Sequence, residues 1–197
     1  MANLQLTEAP ILNSSSQLLI LPVNTAGLLL DPILTRAKSL YPDNYQRYYR
    51  ACRDGSLVVG SCLMHKRARE QAGLSVSGNG NQPSYIANLV ISDHPYHPTR
   101  SRWLAAALLD LQQQLIPLIR YQGIRRTALL ARPLIYTHLH SSSTKNNNRQ
   151  NDDDQNIESE NSISLDWHND ILPLIYHHLQ DLPKLRVDIH LPKDITI

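Results

Sequence analysis

Four short stretches of this chain carry side chains able to do chemistry. The first closes an apolar run, Leu18 to Val23, with Asn24-Thr25-Ala26-Gly27. Open α/β proteins place ligands where a buried strand stops at a small polar residue and turns through glycine toward a helix. Backbone N–H groups and a helix N-terminus face the carboxyl edge of the sheet there. The second is Asp31-Pro32, where the carboxylate either poises a water or hydroxyl, or caps the helix that Pro32 opens; capping alone accounts for it. The third, Ser92-Asp93-His94-Pro95-Tyr96-His97, gathers a carboxylate, two imidazoles and a phenol. These form an acid/base set if they share a site, and a proline-stiffened surface loop if they do not. The fourth, Arg132-Pro133, puts a guanidinium at the end of a strand.

Other chemistries find little support. His138-Leu139-His140 and His177-His178 lack a third ligand at helical spacing, so no metal is expected. Lys66, Arg67 and Arg69 read as a solvated basic loop rather than a nucleic-acid footprint. A net charge of +2 argues no more strongly for a polyanion. There is no G-x-S-x-G elbow, Walker loop or H-E-x-x-H helix. Cys52 and Cys62 give neither a disulfide framework nor zinc spacing, and suit small core residues in a reducing cytoplasm. No apolar run approaches the ~18 residues of a membrane span, and the first ten residues do not form a basic and then apolar leader. The expectation is a cytoplasmic protein without membrane association or cofactor.

The elements that must position these residues follow from periodicity. Leu4 to Thr7 with Ile11-Leu12 is expected as an edge strand interrupted by Pro10. Leu18 to Val23 is apolar on both faces, as in a parallel sheet covered by helices. Ile33, Leu34, Ala37, Leu40 and Tyr41 fall on one helical stripe. A second helix after Pro42 puts Tyr45, Tyr48, Tyr49 and Cys52 inward and ends at Gly55. Leu57–Met64 and Tyr85–Ile91 are strands flanking an exposed loop or long hairpin over 65–83. Thr99 caps a helix over 100–121, with Trp103, Ala107, Leu108, Leu111, Leu115 and Leu118 as its core stripe and Pro117 kinking or shortening it. Ile124–Ala131 is a strand, Asp166 caps a helix through Gln180, and Leu185–Leu191 is the final strand. Residues 137–164 carry almost no apolar side chain and read as a low-complexity, mobile insertion in a single domain spanning 1–197. The class is α/β, a mixed sheet in three layers with helices on both faces.

Val23-Asn24-x-x-Gly27, Tyr41-Pro42-x-Asn44-Tyr45-x-x-Tyr48, Cys52, Gly55 and Gly60 resemble the motifs of the macrodomain family, in order and spacing. The likeness is greatest to its DNA ADP-ribosyl glycohydrolase antitoxin branch. Asn88 after a Tyr-Ile strand, Ser101-Arg102 opening the long helix, Leu165-Asp166-Trp167 and the final V-x-I-x-L strand extend the resemblance over nearly the whole chain outside 137–164. It implies a cleft for ADP-ribose, with Asn24, Thr25, Gly27, Asp31, Asn88, Ser92 and Arg132 as ligand-binding candidates and Asn24 and Asp93 as catalytic ones. Two phosphates need N–H donors, and a hydrolase needs a water placed for attack on the anomeric carbon.

The chain departs from the family pattern only around that site. Ala9-Pro10 stands where the family has Gly-Asp or Gly-Asn, with Glu8 beside it. The glycine-rich bend becomes Leu28 to Pro32. The basic residue after the Asn88 strand becomes Ser92 or Asp93. The second phosphate loop becomes Arg132-Pro133-Leu134, where a fixed charge can replace lost N–H donors. A degenerate site on an intact scaffold leaves two functions open. One is a diverged module recognising ADP-ribose or an ADP-ribosylated macromolecule, with weak or no hydrolase activity. The other is an inactive pseudo-macrodomain that binds a protein such as a toxin, in which Leu28, Leu29, Leu30 and Pro32 fill the phosphate space.

Overall fold

A computed structural model describes residues 1–67, 83–136 and 165–193. The expectations for the loop over 65–83, for Arg69, for the insertion over 137–164 and for His138 and His140 lie wholly or largely outside the described residues. The chain runs β1 (Asn3–Thr7), a 3-10 turn (Ile11–Asn13), β2 (Leu18–Asn24), α1 (Pro32–Leu40), α2 (Pro42–Arg53), β3 (Cys62–Lys66), β4 (Tyr85–Ser92), α3 (Ser101–Tyr121), β5 (Arg126–Leu130), α4 (Arg132–Tyr136), α5 (Leu172–Leu179) and β6 (Arg186–His190). A π-helical turn, Trp167–Ile171, leads into α5. The six strands lie in the order β1-β6-β5-β2-β4-β3. All neighbours are parallel except β3 against β4.

Alternate residues of the buried strands feed two cores, which makes the three layers. Leu18, Ile20, Ala87, Leu89, Leu129, Val187 and Ile189 pack against α3 and α5 on one face. Leu19, Leu21, Ile86, Ala128 and Leu130 pack against α1, Tyr41 and the 3-10 turn on the other. All seven residues of β2 and all eight of β4 are buried, as a central parallel strand covered on both faces requires.

Several boundaries differ from expectation, each for a local reason. Ile11 and Leu12 coil into the 3-10 turn and bury their side chains there, instead of extending an edge strand. Leu57 to Ser61 is a turn held by Gly60, whose φ of +85° suits glycine, so the strand begins at Cys62. The N-cap position of α3 is Arg100 rather than Thr99. Its core stripe is Leu104, Ala107, Leu108, Leu111, Leu115 and Ile119, which leaves Trp103 and Leu118 half-buried. The helix also continues through Pro117 to Tyr121. Tyr49 is not inward but 47% exposed, stacked on Tyr45 at 5.8 Å. Asp31 and Asp166 cap as expected, each accepting two backbone N–H groups.

The mouth of α2 is held by charge. His65 Nε2 donates to Asp43 Oδ2 at 3.0 Å, and Arg67 Nε approaches the same oxygen at 3.4 Å, with all three side chains largely buried. Burial pushes the Asp43 carboxyl up, but the His65 hydrogen bond and the Arg67 charge outweigh it and hold the group below the ordinary 3.8. A carboxylate whose pKa falls on folding stabilises the fold above its unfolded value. That stability is lost as pH drops through the folded value. Urea unfolding at a series of pH values is therefore expected to show stability falling below about pH 4. Asp43→Asn is expected to flatten that acid limb; an unchanged limb means that other carboxylates carry it.

Candidate active site

The carboxyl ends of β2, β4, β5 and β6 make one edge of the sheet, where Asn24, Ser92, Arg132 and His190 come together. β2 pairs with β5 over Leu18–Ile20 against Thr127–Leu129. Pro22, with no N–H to donate, follows two residues on. A hollow of about 140 Å³ opens there, lined by Pro22, Asn24, Leu28, Asp31, Ser92, Arg132 and Tyr136 among others. A second hollow of about 210 Å³ lies beside β6, walled by Ile11, Ile33, Leu130 and Leu191, with Glu8 and Lys193 at its polar side. Arg132 lines both.

Asn24 shapes the first hollow. Its side-chain amide donates to the Leu28 carbonyl at 2.7 Å and its oxygen accepts from the Leu28 N–H at 3.3 Å. The turn after β2 is therefore closed by a side chain acting as a strand partner. Tyr48 Oη, deeply buried, donates to the Asn24 carbonyl at 2.7 Å. Leu28 and Leu30 stand on the wall, 47% and 48% exposed, while Leu29 turns back against the core. The expected filling of the phosphate space by this leucine run is thus only partial: the hollow stays open beside Asn24.

Both oxygens of Asp31 accept hydrogen bonds. Oδ1 accepts from the N–H groups of Ile33 and Leu34, and Oδ2 accepts from Arg132 Nε at 2.9 Å. The Arg132 guanidinium also stacks on the Tyr136 ring, 4.8 Å from its centroid. Arg132 is therefore clamped from both sides, and the Asp31 contact uses one of the five N–H donors of a guanidinium.

Four predicted residues stand elsewhere. Asn88 does not reach the hollow: it is 2% exposed and pairs reciprocally with Asn44, at 2.8 and 3.1 Å, beneath α2. Gly27 faces α2, where a Cβ would meet Tyr49 at 3.2 Å and Cys52 at 3.5 Å, and its φ of +73° is a second reason for glycine. Thr25 ties the ends of β2 and β4 together, its N–H donating to Ser92 and its hydroxyl to Asp93, both through carbonyls. Asp93 is half exposed outside the hollow's lining, with Oδ1 2.9 Å from His97 Nδ1. Its slight burial pushes the carboxyl up, but the His97 bond and local backbone N–H groups outweigh this and leave it below the ordinary range. Burial raises the Cys52 thiol and, with Asp110 beside it, pushes Cys62 up to about 12. Among the described residues there is no group of three or more His, Cys, Asp or Glu side chains able to hold a metal ion.

Sequence reading missed Tyr136 and the second hollow. Tyr136 lies four residues after Arg132, one helical turn on, and that spacing was visible; the side of the sheet that His190 faces was not.

No family model matches the chain. A DNA ADP-ribosyl glycohydrolase of Thermus aquaticus is 30% identical over 129 residues, 66% of this chain but only 30% of that protein. The chain thus spans about a third of the length of the curated relative it matches. The macrodomain of Thermus aquaticus DarG superposes with a TM-score of 0.67 at 23% identity, over 98% of this chain and 100% of that one. Thermosipho africanus DarTG, solved in complex with ADP-ribose, gives 0.68 at 22% identity over 99% of this chain and 43% of that one. A macrodomain of Oceanobacillus iheyensis gives 0.57 at 12% identity over 97% of this chain and 85% of that one. No described helix is long and apolar enough to cross a membrane. Strand order, two-sided helix cover and these superpositions agree: this chain has the macrodomain fold.

Proposed function

We propose that this chain binds ADP-ribose, free or attached to a macromolecule, along the carboxyl edge of the sheet, with weak or no glycohydrolase activity. The observation that carries the reading is Arg132, which lines both hollows and supplies a positive charge where they meet. A dinucleotide-like ligand has two ends to seat and a diphosphate between them, and a clamped guanidinium suits that centre. The relative named a DNA ADP-ribosyl glycohydrolase and the DarTG structure holding ADP-ribose support the same ligand class.

Weak turnover follows from the carboxylates. Hydrolysis at an anomeric carbon needs a general base or nucleophile within reach of the reacting centre. Asp31 lines the first hollow, but both of its oxygens are occupied. Asp93 is held by His97 outside the lining. The two unpaired thiols fit a cytoplasmic setting.

A ligand that binds the folded state stabilises it by about 2.7 kcal/mol at a hundredfold excess over Kd. For a chain of this size that is a melting-temperature rise of about 5–10 °C. We expect such a rise with ADP-ribose, together with at most trace release of ADP-ribose from modified DNA or protein. An unchanged melt at millimolar ADP-ribose overturns the reading. The half-exposed Leu28 and Leu30 on the wall favour a second reading in that event, a protein-binding scaffold with a toxin as its partner.

A further inference from the structure

The flank of α2 beside α1 presents an aromatic ring that is held in place yet open to solvent. Tyr45 and Tyr49, one helical turn apart, stack at 5.8 Å with their planes 25° from parallel. Lys38 Nζ of α1 sits 4.2 Å from the centre of the Tyr45 ring. The Tyr49 ring also lies against Gly27, 3.2 Å from where a Cβ would stand. Tyr49 is nevertheless 47% exposed, whereas Tyr48 beside it is buried and gives its hydroxyl to the Asn24 carbonyl. The core uses Tyr48 and leaves half of Tyr49 in water.

The charge around this ring is one-sided. Between Pro32 and Asp54 the chain exposes Arg36, Lys38, Arg47, Arg50 and Arg53. The two acids in that span offset little. Asp43 is buried in its pairs with His65 and Arg67, and Asp54 meets Arg53 at 3.8 Å in an exposed contact. A chain of net charge +2 thus gathers its cations on one pair of helices, and distribution rather than total is what a polyanion meets. Arg53 lies one helical turn beyond Tyr49, on the same stripe. Basic side chains around an ordered, open ring suit a single nucleic-acid strand: cations follow the phosphates and the ring takes the face of a base. A duplex keeps its bases stacked on one another. An acidic peptide would use the cations but not the ring. We propose that this flank of α1 and α2 is a docking surface for single-stranded DNA, with one base stacked on Tyr49 and the flanking phosphates met by Lys38, Arg50 and Arg53. None of these contacts calls for a 2′-hydroxyl, so DNA satisfies them all. The surface lies outside both hollows and does not depend on the ADP-ribose reading.

The test is fluorescence anisotropy of a labelled oligo(dT), about twelve nucleotides long, titrated with the full chain at several salt concentrations. Wild type should bind it, with affinity falling as salt rises. A duplex of equal length should bind more weakly, and an oligo(U) no more tightly. Tyr49→Ala should lose ~10-fold or more in affinity, and Tyr49→Phe, which keeps the ring, should lose little. Arg50→Gln/Arg53→Gln should weaken binding and reduce the salt slope by roughly one to two. No binding by wild type, tighter binding of the duplex or of oligo(U), or full affinity in Tyr49→Ala overturns the inference. Each of these results leaves the ADP-ribose reading standing, because the melting shift with ADP-ribose is measured without any oligonucleotide. If Tyr49→Ala fails to fold by its melting curve, the double arginine variant and the duplex comparison decide.

Discussion

Asn88→Ala is expected to lower stability by about 2–4 kcal/mol, enough to move the melting midpoint by roughly 5–15 °C. Asn88 and Asn44 exchange two amide hydrogen bonds at 2.8 and 3.1 Å, and Asn88 also donates to the Leu63 carbonyl at 3.3 Å. Both side chains are buried, 2% and 6% exposed. Truncating one leaves the amide of the other desolvated with nothing to bond, and the full desolvation cost falls on the folded state. The pair spans 44 residues and joins α2 to the centre of β4, so loosening it also frees the helix that backs Gly27. Coupling distinguishes this account from a simple loss of packing. The double variant Asn44→Ala/Asn88→Ala should cost clearly less than the sum of the single variants. Additive costs in denaturant unfolding contradict it.

The second large effect is expected at Asn24, where stability and binding fall together. The side chain of Asn24 closes the turn through Leu28, donating at 2.7 Å and accepting at 3.3 Å. Asn24→Ala strands one N–H and one C=O of a partly buried turn and should cost about 1–3 kcal/mol. Leu28 is on the wall of the first hollow, so a loosened turn also reshapes the site and should weaken ADP-ribose at least ~10-fold. Asn24→Asp separates shape from polarity. It keeps the acceptor but sets a carboxylate oxygen against the Leu28 carbonyl, so it should be nearly as damaging. Wild-type affinity in Asn24→Asp, measured beside its melting curve, would contradict the clamp.

How much of this was written in the chain depends on the range of the interaction. Short-range chemistry was legible: Asp31 before Pro32 and Asp166 before Trp167 are caps because the bonds they make reach only two or three residues ahead. Apolar runs such as Leu18–Val23 announced a covered parallel strand because burial on both faces leaves no polar alternation. The strand-to-turn pattern placed the sheet edge at Asn24, and position alone placed Arg132 at a strand end. The order of strands and helices gave helices on both faces. What sequence concealed was partnership at a distance. Asn88 was a ligand-binding candidate through the family resemblance, but its partner is Asn44, 44 positions earlier. Gly27 looked like part of a phosphate cradle, but Tyr49 and Cys52 one helix later fill the space a Cβ would take. The stripe of α3 slipped by one residue at each end, Leu104 for Trp103 and Ile119 for Leu118, because apolar residues neighbour both positions and only packing chooses between them.

The residue that gained most from the structure is Arg132. Sequence placed it at a strand end; its pairing with Asp31 across 101 residues and its place between two hollows come from the fold alone. The most direct measurement is therefore calorimetric titration of ADP-ribose into wild type and Arg132→Gln, at low and moderate salt. Wild type should bind in the micromolar range and weaken as salt rises. Arg132→Gln should lose ~10-fold or more in affinity and most of the salt dependence, because a charge-assisted contact to phosphate has gone. Equal affinity and equal salt dependence in the two proteins, or no heat at millimolar ligand in wild type, contradicts an ADP-ribose site centred on this guanidinium.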